Sequence, residues 1–397
     1  MRRLFVLLIA VGAAVGSAMA TAQNQPPDQN PPQQQNPPQD QNQNQNLNLN
    51  ENNNQPQQQK DQKATDNSKP NIMILATGGT IAGKGSAGGH GYTSGQFNVD
   101  DLISAAPGIE KLANLKGEQV ANIGSQDMND AVWLKLANRV NQLLAQKDVD
   151  GIVITHGTDT MEETAYFLGL VVKSDKPVVL VGSMRPATAI SADGPGNLWD
   201  GVATAASPGA RGRGVLVVMN DQIFNARDIT KTNTTSLETM ASPERGIAGK
   251  IVEGDKVTWF APTDKKHTTN TEFSLNNITQ LPKVDILYAH ANMDPNLITA
   301  AVNDGAKGIV IAGVGDGNMT KPALDAATNA AKHGVVVVRS TRLPTGMVLR
   351  NAEVKDDDLG LVASGELNPA KSRVLLQLAL TEPRHSPADV QRMFNEY

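Results

Sequence analysis

The chain has 397 residues, contains no cysteine and carries a formal net charge of −5. Without cysteine, disulfides, cysteine nucleophiles and thiolate metal sites are excluded. The mildly acidic charge argues against a nucleic-acid surface, which normally has a basic face.

Residues 1–20 are predicted to be a cleavable export signal. The segment begins with two arginines, continues with an apolar stretch too short to cross a bilayer, and ends in Ala18-Met19-Ala20, the small residues of a cleavage site. No later apolar stretch is long enough for a transmembrane helix, so we expect a periplasmic protein without a membrane anchor in its mature form. Cleavage removes both arginines and lowers the formal net charge from −5 to −7.

Residues 21–69 consist mainly of Gln, Asn, Pro and Asp. Such a segment has too little apolar surface to offset the entropy of ordering, so we predict a disordered tether without a catalytic part. An assembly function carried by this Gln/Asn-rich segment is an alternative, although its prolines disfavour aggregation. Deletion of the segment separates the two interpretations, because an enzyme would keep its activity.

From Asn71 onward, short β-rich runs alternate with helical patterns, which indicates parallel sheets built from βαβ units. The predicted strands are Asn71–Ala76, Gly151–Ile154, Pro177–Val181, Gly214–Met219, Val284–Tyr288, Gly308–Ala312 and Val335–Arg339, and the predicted helices include Asp127–Ala145, Thr160–Leu170 and Lys321–His333, the last ended by Gly334.

The predicted fold class is α/β, with two domains because the folded part is too long for one comfortable core. Residues 70–260 are expected to form a larger N-terminal domain with a mainly parallel sheet flanked by helices. Residues 261–282 are polar and lack periodicity, so they are predicted to link it to a smaller C-terminal α/β domain at residues 283–397.

Two predicted strands end in threonine and glycine: Asn71–Gly83 reads NIMILATGGTIAG, and Gly151–Thr160 reads GIVITHGTDT. In open α/β sheets, ligands bind beyond the carboxyl ends of the strands. Glycines there let the backbone approach a ligand closely, and Thr77 and Thr80 add hydroxyl groups. The pair of strand ends therefore indicates hydroxyl chemistry.

Several other chemistries are poorly supported. There is no Gly-x-Ser-x-Gly pentad for a nucleophilic serine, and the first glycine turn lacks the lysine of a phosphate-binding loop. The letters Gly83–Gly88 fit a dinucleotide fingerprint but begin well past the strand end, without a helical pattern after them. The histidines, among them His156 and His290, are scattered without i, i+4 partners, so we expect no metal site and no cofactor.

Threonine remains as the nucleophile, and its weak hydroxyl needs a neighbouring base. Lys231 and Asp159 are the candidate activators, since a desolvated lysine can act as a base. Lys231 lies in a polar stretch, where an ordinary surface lysine is the alternative interpretation.

These residues carry a family resemblance. Ala76–Gly83 and Ile154–Ala165 resemble the two signatures of bacterial type II L-asparaginases and of the closely similar glutaminase-asparaginases. The likeness continues in collinear order over essentially everything after residue 70, through Asn122–Asn129, Val181–Pro186, Ser191–Pro195, Val217–Asp221, Thr230–Thr234, Leu367–Pro369, Arg373–Leu376 and Phe394–Tyr397.

The resemblance implies hydrolysis of the asparagine side-chain amide to aspartate and ammonia. It makes Thr80 the nucleophile that forms an acyl-enzyme, and Tyr92, on the glycine-rich stretch Gly88–Gly95, the group that helps to remove its proton. It makes Thr158, Asp159 and Lys231 a second polar cluster, with Lys231 as base or proton relay.

The same resemblance assigns the substrate contacts. Asp159 and Glu353 match the carboxylates that bind the ammonium group, Ser125 matches the group that holds the α-carboxylate, and Gln126 lies on the ammonium side. In the family, the equivalent of Glu353 reaches in from a neighbouring subunit, and Asn318 lines the same shared site. The implied assembly is a homotetramer, a dimer of intimate dimers, without a cofactor.

Gln126 and Asn318 match asparagine-preferring members, whereas glutaminase-asparaginases tend to carry Glu and Ser at these places. We therefore expect an asparaginase with minor glutaminase activity, although one methylene of substrate length is worth only ~1–3 kcal/mol. Comparable use of both substrates is one alternative, and a non-catalytic periplasmic amino-acid-binding protein is another. Asp316, where the family commonly has asparagine, is expected to add a negative charge near the shared site.

Overall fold

Helices pack on both faces of a large sheet and on both faces of a smaller one. The computed structural model describes residues 66, 68–85 and 91–397, which all belong to one compact unit. The predicted export signal, nearly all of the predicted tether and residues 86–90 of the glycine-rich stretch lie outside the described residues. Asp66 and Lys69, at the end of the predicted tether, accept hydrogen bonds from Asn114 Nδ2 through their main-chain oxygens, at 2.8 and 3.3 Å.

The described residues form sixteen strands and nine α-helices. The strands are β1 (Asn71–Gly78), β2 (Lys84–Gly85), β3 (Tyr92–Thr93), β4 (Asn114–Ile123), β5 (Gly151–Thr155), β6 (Val178–Val181), β7 (Val215–Met219), β8 (Gln222–Asn225), β9 (Thr230–Lys231), β10 (Met240–Ala241), β11 (Gly249–Val252), β12 (Lys256–Trp259), β13 (Val284–Tyr288), β14 (Gly308–Gly313), β15 (Val336–Thr341) and β16 (Val362–Ala363). The helices are α1 (Val99–Ser104), α2 (Asp130–Leu144), α3 (Met161–Val171), α4 (Gly194–Ala206), α5 (Asn296–Asn303), α6 (Lys321–Lys332), α7 (Asp356–Leu359), α8 (Pro369–Ala379) and α9 (Pro387–Glu396).

The larger sheet has the strand order β12-β11-β8-β7-β6-β5-β1-β4. The five neighbouring strands β4, β1, β5, β6 and β7 are parallel to one another. Strand β8 is antiparallel to β7, β11 is antiparallel to β8, and β12 is antiparallel to β11. Counted along the chain, the parallel strands follow the order 2-1-3-4-5, in which the chain reverses its direction of winding between β1 and β5. Ligands bind at such a switch point, beyond the carboxyl ends of the strands.

The smaller sheet, β13-β14-β15-β16, is entirely parallel. One face packs against α5 and α6, and the opposite face packs against α8 and α9, where Val310 and Val338 meet Leu375. That second layer of apolar side chains is continuous with the core under β1 and β5 of the larger sheet, where Leu75 lies. The α/β fold class with two sheets is therefore confirmed.

All seven predicted strands are present, with ends within two residues of the prediction, and Gly334 follows α6 with the left-handed φ of 88° that a glycine allows. The predicted helix Asp127–Ala145 begins later, at Asp130, because Asn129 Oδ1 caps it by accepting the Val132 N–H at 3.2 Å. Residues 261–282 contain only one short 3₁₀ turn, although Phe273 is fully buried against Tyr397. The domain and linker boundaries stay a proposal.

None of the helices in the described ranges combines the length and apolar character needed to cross a membrane.

A buried ion pair organises the carboxyl edge of the smaller sheet. Arg339 and Asp356 are both fully buried and bind each other through two hydrogen bonds, Nε to Oδ1 at 2.6 Å and Nη2 to Oδ2 at 2.9 Å. The guanidinium also donates to the main-chain oxygen of Asp316 at 2.8 Å, and Asp356 accepts the Asn351 N–H at 2.9 Å. The pair therefore fixes the two loops, 314–318 and 349–356, that carry Asn318 and Glu353.

Asp356→Asn is expected to lower the free energy of unfolding by about 3 to 5 kcal/mol, because it leaves the Arg339 charge buried and uncompensated. Urea titrations followed by circular dichroism measure the change. Asp357→Asn is the matched control: Asp357 binds Arg350 at the surface, so its loss should change the urea midpoint little. Equal urea midpoints for Asp356→Asn and Asp357→Asn would contradict the stabilising role assigned to the buried pair.

Candidate active site

The turns after β1 and β5 touch each other through backbone. Gly78 and Gly79 have φ of 106° and 82°, in the region that favours glycine. A Cβ added to Gly79 would lie 2.5 Å from the Gly157 Cα, so no side chain fits between the turns. Thr77 reinforces the contact by donating its buried hydroxyl to the Thr155 main-chain oxygen at 2.8 Å. Thr77 therefore has a structural part, and Thr80 is the hydroxyl that the first turn presents.

The first polar cluster consists of Thr80 and Tyr92. Thr80 is buried, and its Oγ1 donates a hydrogen bond to the Tyr92 hydroxyl at 2.8 Å. Tyr92 lies on β3, which pairs with β2 in a two-stranded hairpin, and its side chain is 46% exposed. The phenol therefore accepts a hydrogen bond from the threonine while it remains open to solvent.

The second cluster lies on the turn after β5. Lys231 Nζ donates to Thr158 Oγ1 at 2.9 Å and to Asp159 Oδ1 at 2.6 Å. Thr158 is buried and its hydroxyl also lies 3.4 Å from Met184 Sδ, whereas the Asp159 side chain is 54% exposed. The structure thus joins the three residues of the predicted second cluster, with the aspartate turned towards solvent.

A third strand end, that of β4, contributes Ser125 and Gln126 on a short 3₁₀ turn. Ser125 Oγ accepts the Asp159 N–H at 3.2 Å, and the Ser125 main-chain oxygen accepts the Thr160 hydroxyl at 2.7 Å. Gln126 is exposed and donates to the neighbouring Asp127 at 3.1 Å. The ends of three adjacent parallel strands, β1, β4 and β5, therefore bring Thr80, Ser125, Gln126, Thr158 and Asp159 to one edge of the larger sheet.

Asn318 and Glu353 form a separate group at the carboxyl edge of the smaller sheet, where the Asn318 amide donates to the Glu353 carboxylate. Within the residues that the structure describes, no hydrogen bond or ion pair joins these two residues to Thr80, Thr158 or Lys231. Asp316 is half-buried and its carboxylate accepts the Leu349 N–H at 2.7 Å, so its charge is partly used to hold a loop.

Sequence reasoning missed two contacts of the second cluster. Met184 contacts the Thr158 hydroxyl, and the buried Glu162 accepts the main-chain N–H of Lys231 at 2.9 Å. Both residues lie inside the stretches that carried the family resemblance. The sequence did not indicate these contacts, because a methionine after a strand and a glutamate in the first turn of a helix are common at those places.

His156, in the second turn, is buried and part of a hydrogen-bonded chain. Its Nδ1–H donates to the Gly157 main-chain oxygen at 2.7 Å, which leaves Nε2 to accept the Thr164 hydroxyl at 2.9 Å. Trp133 Nε1–H then donates to Thr164 Oγ1 at 2.8 Å. Burial lowers the pKa of His156 to about 4, so the ring is neutral and structural. Over residues 66, 68–85 and 91–397, no three His, Cys, Asp or Glu side chains are grouped so as to hold a metal ion.

Comparisons with known proteins agree with the resemblance. The family model described as "Asparaginase, N-terminal" matches residues 71–265, and the one described as "Glutaminase/Asparaginase C-terminal domain" matches residues 283–394. The chain is 54% identical, over 83% of its own length and 93% of theirs, to "Probable L-asparaginase periplasmic" of Haemophilus influenzae and to "L-asparaginase 2" of Escherichia coli. A solved structure titled as a probable cytoplasmic L-asparaginase of Campylobacter jejuni matches with a TM-score of 0.79 and 46% identity, over 83% of this chain and all of that one.

The burial of His156 predicts a pH-dependent contribution to stability. Because its folded pKa, about 4, lies below the ordinary value of 6.5, the unfolded chain binds the proton first and stability is lost as pH falls between those values. We expect the stability gap between wild type and His156→Gln to narrow by up to about 3 kcal/mol from pH 7 to pH 4.

Urea titrations at a series of pH values measure this gap. His385→Gln, at an exposed histidine, is the control and should follow the wild-type curve at every pH. A gap between wild type and His156→Gln that stays constant with pH would show that the histidine does not carry the pH dependence.

Proposed function

The chain belongs to the asparaginase family, and we propose that it hydrolyses the side-chain amide of L-asparagine to L-aspartate and ammonia. One observation carries the proposal. Two buried threonine hydroxyls lie on adjacent turns at the switch point of the sheet. Each is hydrogen-bonded to a group that can activate it, Thr80 to Tyr92 and Thr158 to Lys231. A site that only binds an amino acid does not require two activated hydroxyls.

In the proposed reaction, Thr80 Oγ1 attacks the amide carbon while Tyr92 accepts the hydroxyl proton. Tyr92 passes a proton on to the amide nitrogen, so collapse of the tetrahedral intermediate breaks the C–N bond, expels ammonia and leaves an acyl-enzyme on Thr80. Water then hydrolyses the acyl-enzyme to aspartate and frees the Thr80 hydroxyl. Lys231 acts as the base of the second cluster and exchanges protons with Thr158. Main-chain amides of the two turns supply the hydrogen-bond donors that the oxyanion needs. A hydroxyl held by a 2.8 Å hydrogen bond to a phenol is already oriented for proton removal.

Substrate binding follows from the charges of a free amino acid. The α-ammonium needs carboxylates, for which Asp159 and Glu353 are both exposed, and the α-carboxylate needs donors, which Ser125 and nearby main-chain amides provide. Gln126 lies on the same side of the site and adds a polar side chain near the α-ammonium group. Gln126 and Asn318 support a preference for asparagine, with minor use of glutamine and comparable use of both as the alternative.

We further propose that the site is shared between subunits of a homotetramer. Asn318 and Glu353 bond to each other and to no residue of the threonine clusters within the described part of the chain. Leu343, Met347 and Leu349, on the loop that leads to Glu353, are each about half exposed, at 49%, 50% and 49%. Exposed apolar side chains on one loop favour burial against a second copy.

The location of the protein is part of the proposal. The export signal predicted at residues 1–20 and the "periplasmic" in the name of the Haemophilus influenzae relative both support a periplasmic enzyme. The Gln/Asn/Pro-rich residues 21–69 are proposed to be a tether with no part in catalysis.

Thr80→Ala is expected to lower kcat for asparagine by on the order of a thousandfold or more, because the hydroxyl that forms the acyl-enzyme is gone. Initial rates of ammonia release from L-asparagine and L-glutamine measure this. Thr80→Ser keeps a hydroxyl and should retain part of the activity. Wild-type kcat/KM should favour asparagine; equal values would discard the specificity proposal but keep the mechanism. Tight amino-acid binding without ammonia release would instead indicate a binding protein.

Mixing two inactive variants tests the shared site. If Thr80 of one subunit works with Glu353 of another, co-expression of Thr80→Ala with Glu353→Ala creates one intact site in each mixed pair. Random pairing then restores roughly a quarter of the wild-type activity. Each variant expressed alone is the control. No recovery, in material shown by tagged pull-down to contain mixed assemblies, would place the complete site within one chain.

A further inference from the structure

Lys231 is presented by a strand with little support of its own. It is the second residue of the two-residue strand β9, which among the described residues pairs only with β10, through Lys231 with Met240 and Thr230 with Ala241. This two-stranded ribbon belongs to neither of the larger sheets. Such isolated ribbons are marginally stable, so the position of the lysine needs a further constraint.

Glu162 supplies that constraint. Its side chain is buried, with only 8% exposure for the residue, and both carboxylate oxygens are used. Oε2 accepts the main-chain N–H of Lys231 at 2.9 Å, and Oε1 accepts the side-chain amide of Asn368 at 3.0 Å. A buried carboxylate with two filled acceptor sites holds its donors in a defined geometry.

The position of Glu162 in the chain closes a ring of contacts. Glu162 is in the first turn of α3, and Thr158 and Asp159, the partners of the Lys231 side chain, lie four and three residues before it. One short segment therefore holds the lysine at both ends, the main chain through Glu162 and the ammonium through Thr158 and Asp159. A shift of β9 would break these contacts together.

A second anchor, from α8, acts on the residue just before β9. The buried Lys371 donates to the main-chain oxygen of Ile229, two residues before Lys231, and Asn368 Oδ1 caps α8 by accepting the Lys371 N–H at 2.9 Å. Burial lowers the pKa of Lys371, and the negative charge of Glu162 opposes that change. Helix α8 therefore restrains both the residue before β9 and the carboxylate that holds Lys231.

We propose that Glu162 is a positioning residue for amide hydrolysis, whose carboxylate holds the main chain of Lys231 where the side chain reaches Thr158 and Asp159. This inference rests on the proposed function. An amide at position 162 cannot replace the carboxylate, because it has one acceptor and one donor group where two donors face it. Asn368 cannot turn its amide round to compensate, since its Oδ1 is the cap of α8.

The test compares Glu162→Gln with Glu163→Gln in the full chain. Glu163 lies next to Glu162 on the same turn and faces Arg373 at 4.0 Å, so its replacement makes the same charge change without touching β9. Glu162→Gln is expected to lower kcat for asparagine about 10- to 100-fold with KM changed less than about threefold, because misplacing a reacting group slows the chemical step. Glu163→Gln should stay near wild type.

Two readouts separate positioning from mere destabilisation. The kcat of Glu162→Gln should stay lowered at temperatures well below its unfolding transition, whereas a loss of folded protein lowers the apparent kcat only as the folded fraction falls. The double variant Glu162→Gln/Asn368→Asp should recover most of kcat. Its new amide donates to the new carboxylate and accepts from Lys231, and the total charge matches wild type.

The outcomes are distinct. A wild-type enzyme that releases no ammonia would overturn the proposed function. An active wild type with Glu162→Gln indistinguishable from Glu163→Gln would overturn the positioning role alone. So would a loss of activity that merely follows the loss of folded protein, with no recovery of kcat in the double variant.

Discussion

The close approach of two backbone turns is the constraint on which the rest of the site depends. Gly79 and Gly157 meet where the sheet reverses its winding, and any side chain at Gly79 would overlap the other turn. The contact brings the residues that follow each glycine, Thr80 and Thr158, to the same edge. Backbone contacts of this kind are shorter and stiffer than contacts through side chains. The geometry of the two hydroxyls is therefore set by the sheet itself, before any polar group acts on them.

The polar groups at the edges of both sheets are fixed by a further layer of buried charge. Glu162 holds the strand of Lys231, and the pair of Arg339 and Asp356 holds the loops of Asn318 and Glu353. Buried charges are costly unless they are paired and fully hydrogen-bonded, and each of these has its partners. Such charges stabilise a few arrangements of their neighbours far more than all others. Loops and a two-residue strand lack such a constraint by themselves.

Sequence reasoning located seven of the nine parallel strands, because buried strands are mostly apolar runs. It missed β4, whose polar letters reflect its place at the edge of the larger sheet, the two-residue β16 of the smaller sheet, and the short antiparallel strands β8, β11 and β12. It placed Thr80, Thr158 and Lys231 in the site through motif letters and family resemblance. Glu162 was out of reach, because its contact with Lys231 spans 69 residues of chain and depends on how α3 packs against β9. Contacts of that kind exist only once the fold is built.

The two sheets contribute different groups to the proposed reaction. The larger sheet carries the hydroxyls and their activators, which are tied to one another by side-chain and main-chain hydrogen bonds within one chain. The smaller sheet carries Asn318 and Glu353, which add charge and shape for the α-ammonium of the substrate but no nucleophile. If a neighbouring copy supplies them, the reactive geometry belongs to each chain while the affinity for a free amino acid belongs to the assembly. A longer substrate could then be rejected by a small change at the subunit boundary, with no change to the threonines that perform the chemistry.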